Sequence, residues 1–391
     1  MNYQSDCRLF TGYKPCRYQR PCDIHCPHYD PVDTRILIIS LDAMGAVLRA
    51  TSLLPAIQRQ YPEAHITWLT LPQCAPLLQE NTAIDRVLTL NHTTTTVLSV
   101  LKFAVLYAVD KSIQAGALAE QVDAPLKYGF GLDTAGNIRP LSPHANYQFQ
   151  LGLDNDLKFY KNKQPETEQL ANTMNLTWRR DPYQLHLNST EQAQVKEKRR
   201  HMLRQASHPQ AWIIGYNTGC SNAFPYKKFR LSRAIETIQM WRARFPTAVV
   251  ALCGGPEDTQ RQQQMKSAFA TDSQVINTET TAGLRDGITS LAACDIIFSG
   301  CSLGMHIAIA LQKPTIAWFG LSCAQEIDLY ERGIKLRAKV SCSPCWRKSC
   351  DKEPKCFDEV SPTAIGDATQ LLQHKYIRDN PPTDLSTNMS I

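Results

Sequence analysis

The sequence predicts an α/β protein of two doubly wound halves facing a cleft, with a short cysteine-rich extension ahead of them. Three observations carry this. From Arg35 to Leu90, strand-like apolar runs alternate with helix-period segments in the order β-α-β-α-β, as a parallel sheet wrapped by helices requires. The same alternation restarts at Trp212. Between the two runs Ser207-His208-Pro209 breaks the chain, and 391 residues exceed what one hydrophobic core usually holds. The expected division is a cysteine-rich module over 1–30, a first domain over 31–206, a second over 207–378, and a disordered tail over 379–391.

Composition narrows the class. Hydrophobic residues make up 43% and charged residues 20%, ordinary for a globular protein. A formal net charge of +6 favours anionic ligands or an anionic membrane surface, but it is too diffuse for nucleic acid. The amino terminus has no apolar stretch of the signal-peptide kind. The most apolar long run, Val97 to Val109, contains Lys102 and is too short to cross a bilayer. The expected location is therefore the cytoplasm, as a soluble or peripheral protein. In a reducing compartment, 14 cysteines point to metal ligation or buried thiols rather than a disulfide scaffold.

Taken in order, residues 1–30 are polar and cysteine-rich and need a staple, because so short a piece buries no core. RILIIS from Arg35 is the first strand, and Val47 to Tyr61 is a helix stopped by Pro62. His65 to Leu71 and Asp85 to Leu90 are further strands, with a helix over Cys74 to Gln79. Lys127 to about Asp156 reads as loop, Phe159 to Met174 as an amphipathic helix, and Thr190 to Gln205 as a helix with a solvated basic face. In the second half the strands are WIIGY from Trp212, AVVALC from Ala248, Val275 to Asn277, Ile296 to Phe298, and Thr315 to Phe319. Helices over Leu231 to Phe245, from Thr259, Gly283 to Ala293, Met305 to Leu311 and Ser361 to His374 separate and follow them.

The chemistry concentrates in loops that follow strands. Ser299-Gly300-Cys301-Ser302-Leu303-Gly304 turns from a strand into an apolar helix, and such a turn offers free backbone N–H groups to an anion. An ordinary βαβ crossover has the same pattern. His306 lies in the first turn of that helix, either packed or touching a ligand. Asn217 to Asn222, followed by Lys227-Lys228, suits a diphosphate held by Thr218 and the Lys227 charge; a solvated polar loop fits equally. Gly254-Gly255-Pro256-Glu257-Asp258 places a carboxylate where ribose hydroxyls bind, or simply caps the next helix. Cys7, Cys16, Cys22 and Cys26 have the spacing C-x8-C-x5-C-x3-C, with His25 and His28 beside the last. Cys342, Cys345, Cys350 and Cys356 fall within 15 residues, interleaved with Trp346, Arg347, Lys348 and Lys352. Either quartet suits a structural zinc or iron, an iron–sulfur centre included, or consists of free thiols.

These segments together resemble glycosyltransferase family 9, the ADP-heptose:lipopolysaccharide heptosyltransferases. The carriers are RILIISLDAMGAVLRATSLLPAIQRQYPEAHITWLT, NTGCSNAFPYKKF, GGPED, SGCSLGMHIAIALQKPTIAWFG and the terminal CSPCWRKSC…C, spread from Arg35 to about His374. The resemblance implies a GT-B fold of two Rossmann-like domains, with the acceptor in the first and a nucleotide-sugar in the second. It implies inverting transfer of heptose from ADP-heptose to an envelope glycan such as the lipopolysaccharide core, or to a protein acceptor, without a catalytic metal. It also allows peripheral association with the inner membrane. By position, Thr218 and Lys227 hold the donor phosphates and Glu257 meets the ribose. Ser302, Leu303, Gly304 and His306 line the sugar and diphosphate site. Two expected carboxylates are missing: the general base of the first loop is Ala46 here, and a second-domain Asp is Cys301. Asp42 is the substitute base expected in the first loop, and Asp110 is a second candidate. The alternative is a non-catalytic member, a metal-stapled binding or assembly subunit.

Overall fold

The computed structural model describes residues 3–206 and 208–378, so the tail over 379–391 lies outside the described residues. The chain forms two compact units. The first runs to Lys158 and resumes over Glu166–Asp181, and the second takes Phe159–Pro165 and the chain from Pro182 onward.

The first unit is a six-stranded sheet. Its strands are β1 (Arg35–Ile39), β2 (His65–Thr70), β3 (Arg86–Thr89), β4 (Val105–Ala108), β5 (Leu126–Leu132) and β6 (Ile138–Pro140), in the order β3-β2-β1-β4-β5-β6. All neighbours are parallel except β5 and β6. The period of two explains why β1 is apolar throughout. Ile36 and Ile38 pack one face with Trp68 and Tyr107, while Leu37 and Ile39 pack the other with Leu69 and Leu106. The predicted helix from Val47 to Tyr61 is broken in two, over Met44–Ala50 and Leu54–Gln60, by a 3-10 turn at Thr51–Leu53. Pro55, in the first turn of the second piece, has no N–H to continue the first. The helix expected over Cys74 to Gln79 is a 3-10 turn at Ala75–Leu78. The segment after Lys127, read as loop, is strand β5. Its glycines hid it: Gly129 has φ +96°, and a Cβ there would lie 1.9 Å from the Ala108 carbonyl oxygen.

Residues 3–31 carry no helix or strand of their own. Arg8 pairs with Asp30 inside the segment (3.1 Å) and fastens it to the first unit by an ion pair to Asp85 (2.6 Å) and by donating to the carbonyls of Glu63 and Ala64.

The second unit repeats the plan. Its strands are β7 (Trp212–Asn217), β8 (Ala248–Cys253), β9 (Val275–Asn277), β10 (Ile296–Gly300), β11 (Thr315–Phe319) and β12 (Gly333–Arg337). They lie parallel in the order β12-β11-β10-β7-β8-β9. Trp212, Ile214, Tyr216, Phe298 and Trp241 form the core of one face. In both sheets the chain order reverses at the central strand, β1 or β7, which leaves a crevice at its carboxyl end.

The division between the units falls at Asp181 and Pro182, not near residue 207. The helix Ser189–Leu203 belongs to the second unit. Part of its basic face, expected in water, is paired: Lys198 lies 2.6 Å from Asp286 and Arg199 lies 2.8 Å from Asp295, while Glu191 of the same helix accepts from Arg285. Glu191 also closes the Asn188 capping box, so one carboxylate starts the helix and docks it. The expected amphipathic helix from Phe159 is only Glu166–Thr173.

Candidate functional site

In the first unit the register Ile39↔Ala108 brings the loops after β1 and β4 together. The buried Asp110 carboxyl accepts from the backbone N–H of Leu41, from that of Asp42 (3.2 Å), and from Ser40 Oγ (3.4 Å). Burial pushes this carboxyl up to about 6 against those hydrogen bonds, and the Asp42 charge adds to the rise. Asp110 therefore shapes the loop from beneath, and Asp42 carries its carboxylate on the exposed side. Ala46 follows in the first turn of the helix Met44–Ala50. Buried Cys74 lies close to both acids; burial and then Asp42 raise its thiol to about 11.

In the second unit the loops after β7, β8 and β10 converge at the carboxyl edge of the sheet. Asn217 ends β7 opposite Ser299 of β10. Its side-chain amide, almost wholly buried, donates to the Gly219 carbonyl (3.1 Å), Ser299 Oγ (3.0 Å) and Ser302 Oγ (2.9 Å). One amide thus locks two loops. The approach is tight: a Cβ at Gly304 would lie 2.4 Å from Asn217 Cγ, and one at Gly300 would lie 2.1 Å from the Lys227 carbonyl oxygen. That second contact seats Lys227, in the 3-10 turn Pro225–Lys227, beside the end of β10. Ser302 then precedes the helix Leu303–Ala310, whose first N–H groups, those of Leu303 and Gly304, have no acceptor within the helix. The Asn217 amide gave no sequence signal of this role, because only the sheet register brings it to the turn.

Several expected contacts are placed differently. Thr218 is 1% exposed, and its hydroxyl donates to the Cys253 carbonyl (3.0 Å) and accepts from Gln262 Nε2 (3.3 Å). It is turned into the fold and braces the loop instead of presenting an oxygen to phosphate. Its small side chain, next in sequence to the last strand residue, falls on the core side of the sheet edge. His306 is likewise buried, with its ring 5.9 Å from that of Tyr183. Glu257 stands exposed at the loop tip, and its neighbour Asp258 is the buried acid at the centre. Asp258 Oδ2 accepts from the Gly255 N–H (3.0 Å), and a Cβ at Gly219 would lie 1.8 Å from it. Asp258 Oδ1 is buried with no hydrogen-bond partner among the described residues, and burial raises the carboxyl. The visible hint of this acid is its position three residues after Gly255, where an acidic side chain caps the helix start.

Each cysteine quartet lines its own small cavity of about 20 Å³: Cys7, Cys16, Cys22 and Cys26 with His28 in the first unit, and Cys342, Cys345, Cys350 and Cys356 in the second. A four-thiol set is a soft donor set that suits zinc or iron. Yet among the described residues no three His, Cys, Asp or Glu side chains are arranged to hold an ion as they stand. No helix of the described residues is long and apolar enough to cross a membrane.

Comparison with known proteins fits this geometry. A glycosyltransferase family 9 (heptosyltransferase) profile matches residues 102–356, well over half of the chain. No curated protein matches the sequence. Among solved structures, the family 9 glycosyl transferase of Veillonella parvula superposes with a TM-score of 0.65 at 15% identity, over 88% of this chain and 98% of that one. The E. coli ADP-heptose lps heptosyltransferase II superposes with a TM-score of 0.62 at 18% identity, over 87% and 99%. TibC of enterotoxigenic E. coli, an iron-containing dodecameric glycosyltransferase, gives 0.51 at 10% identity, over 89% and 80%. The two reversed parallel sheets are accordingly the GT-B fold, and the chain belongs to glycosyltransferase family 9, the heptosyltransferase family.

Proposed function

We propose that this chain transfers a heptose from ADP-heptose to a hydroxyl of an envelope glycan or protein acceptor, with inversion. The observation that carries the reading is the edge of the second sheet, where Asn217 ties the Lys227 loop to the turn that opens the helix Leu303–Ala310. The Lys227 backbone lies against Gly300, so in this reading its side chain brings a positive charge to two free backbone N–H groups, a combination that suits a diphosphate. Relatives of this fold have been solved with ADP and with ADP-D-β-D-heptose, which favours the same donor class.

In this reading Lys227 and the N–H groups of Leu303 and Gly304 take the diphosphate, Ser302 adds its hydroxyl, and Glu257 meets the ribose. The acceptor oxygen bonds to the sugar anomeric carbon as the bond to the diphosphate breaks, and ADP leaves. The acceptor proton passes to the Asp42 carboxylate, which stands in for the acid absent at Ala46. Lys227 offsets the charge that grows on the departing diphosphate. The test is ADP release from ADP-heptose by the purified chain, together with calorimetric titration of ADP. No ADP binding at millimolar concentration refutes the donor assignment.

Ala46 and Cys301, both lacking a carboxylate, favour a second reading: a member that binds the donor without transfer and serves as an assembly subunit. Binding without turnover, with turnover created by Ala46→Asp, decides for it.

A further inference from the structure

The Cys342–Cys356 loop reaches the donor lysine. Lys227 Nζ lies 4.3 Å from the centroid of the Trp346 ring and 5.1 Å from that of Phe224. The two rings meet edge to face at 5.5 Å, so the ammonium lies against an aromatic corner. Both distances are within the range in which a ring quadrupole attracts a cation.

The backbone is arranged to hold that corner. Trp346 has φ +52°, a left-handed conformation that bulky residues rarely adopt. It is kept there because the N–H groups of Cys345 (3.0 Å) and Trp346 (2.9 Å) both donate to the Leu321 carbonyl, just past the end of β11. On the other side of the loop Phe357 stacks on Tyr226, the residue before Lys227, and Asp358 pairs with Arg230. A Cβ at Gly320 would lie 2.5 Å from Cys356 Sγ, so the cysteine loop is pressed onto the same sheet edge as the turn at Gly300.

We propose that Trp346 is a positioning residue for the donor site. Its ring, presented by the cysteine loop, restrains the Lys227 side chain beside the Gly300–Gly304 turn, so that the ammonium is in place before a nucleoside diphosphate arrives. A flexible lysine would otherwise lose rotamer freedom on binding, and the ring removes part of that cost beforehand. The cysteine loop is then part of the donor site and not only a staple. This inference rests on the reading that Lys227 meets the diphosphate.

The experiment is calorimetric titration of ADP into the full chain, its Lys227→Ala, Trp346→Ala and Trp346→Phe variants, and the Lys227→Ala/Trp346→Ala double variant. Thermal melting of each confirms folding. The expected result is that Trp346→Ala weakens ADP by about threefold to tenfold while Trp346→Phe recovers most of the loss. The double variant binds no worse than Lys227→Ala alone, because without the ammonium the ring has nothing to hold. A purely structural tryptophan gives a loss that adds to that of Lys227→Ala, and this overturns the proposal. So does unchanged affinity in Trp346→Ala when Lys227→Ala has lost it. If Lys227→Ala itself leaves ADP affinity intact, the Lys227 assignment falls first and takes this inference with it.

Discussion

Replacing Asp42 by Asn tests the catalytic reading most directly. The side chain is exposed, and the loop is held through the backbone: Asp110 accepts from the N–H groups of Leu41 and Asp42, and the substitution leaves both donors in place. Asn has the shape of Asp, so stability should change by no more than about 0.5 kcal/mol. The residues proposed to hold ADP all lie in the second unit, so ADP affinity should also stay unchanged. Removing a general base costs about 10²–10⁴ in rate, and at about 1.4 kcal/mol per decade the barrier should rise by about 3–5 kcal/mol. The assay is ADP release at saturating ADP-heptose, with melting temperature and ADP affinity measured on the same preparation. A kcat within about threefold of the unmodified chain removes Asp42 from the proton transfer. A large fall accompanied by a lower melting temperature or weaker ADP binding means that Asp42 supports the fold or the donor site, and refutes its role as the base alone.

Other outcomes follow from the same geometry. The Asp110 carboxyl is raised by burial to about 6 from 3.8, so it favours the fold in its protonated form, and that contribution is lost as pH rises between those values. The melting temperature of Asp110→Asn relative to the unmodified chain should therefore climb between pH 4 and pH 7, and a pH-independent difference contradicts it. Gly219→Ala should cost about tenfold or more in ADP affinity, because its Cβ would lie 1.8 Å from the buried Asp258 carboxylate; calorimetry showing wild-type affinity rejects the tight-loop argument. Arg8→Ala should free the segment 3–31 to limited proteolysis while leaving ADP binding intact, since Arg8 ties the segment to Asp85 and to the carbonyls of Glu63 and Ala64. If a quartet holds a structural metal, elemental analysis should find about one zinc or iron for each, and chelation should loosen the loop that carries it; trace metal only means free thiols.

Much of the architecture was legible because the central strands are buried on both faces. ILII after Arg35, WIIGY and AVVALC read as unbroken apolar runs, and the helix-period segments between them require parallel crossovers. Strand β5 was not legible, because Gly129 answers to the Ala108 backbone on the neighbouring strand and Gly131 to the Glu120 and Leu141 side chains, contacts absent from the local pattern. The domain boundary was misplaced for a related reason. A chain break at Pro209 is a local signal, whereas Lys198 and Arg199 are claimed by Asp286 and Asp295 about ninety residues away.

The sequence by itself determined the two wound halves and the glycine-rich loops that follow their strands, since periodicity and glycine placement are local properties. It also exposed the loss of the expected acid at Ala46. Only the tertiary structure decided what each loop residue does. Thr218, in the loop after β7, and His306, in the first turn of the helix Leu303–Ala310, are both turned inward. Asp258 rather than Glu257 became the buried acid, Asn217 became the tie between two loops, and Trp346 met Lys227 from more than a hundred positions away. Side-chain direction at a strand end depends on register and on which neighbour claims the space. Both are settled by parallel pairing between strands far apart in the chain.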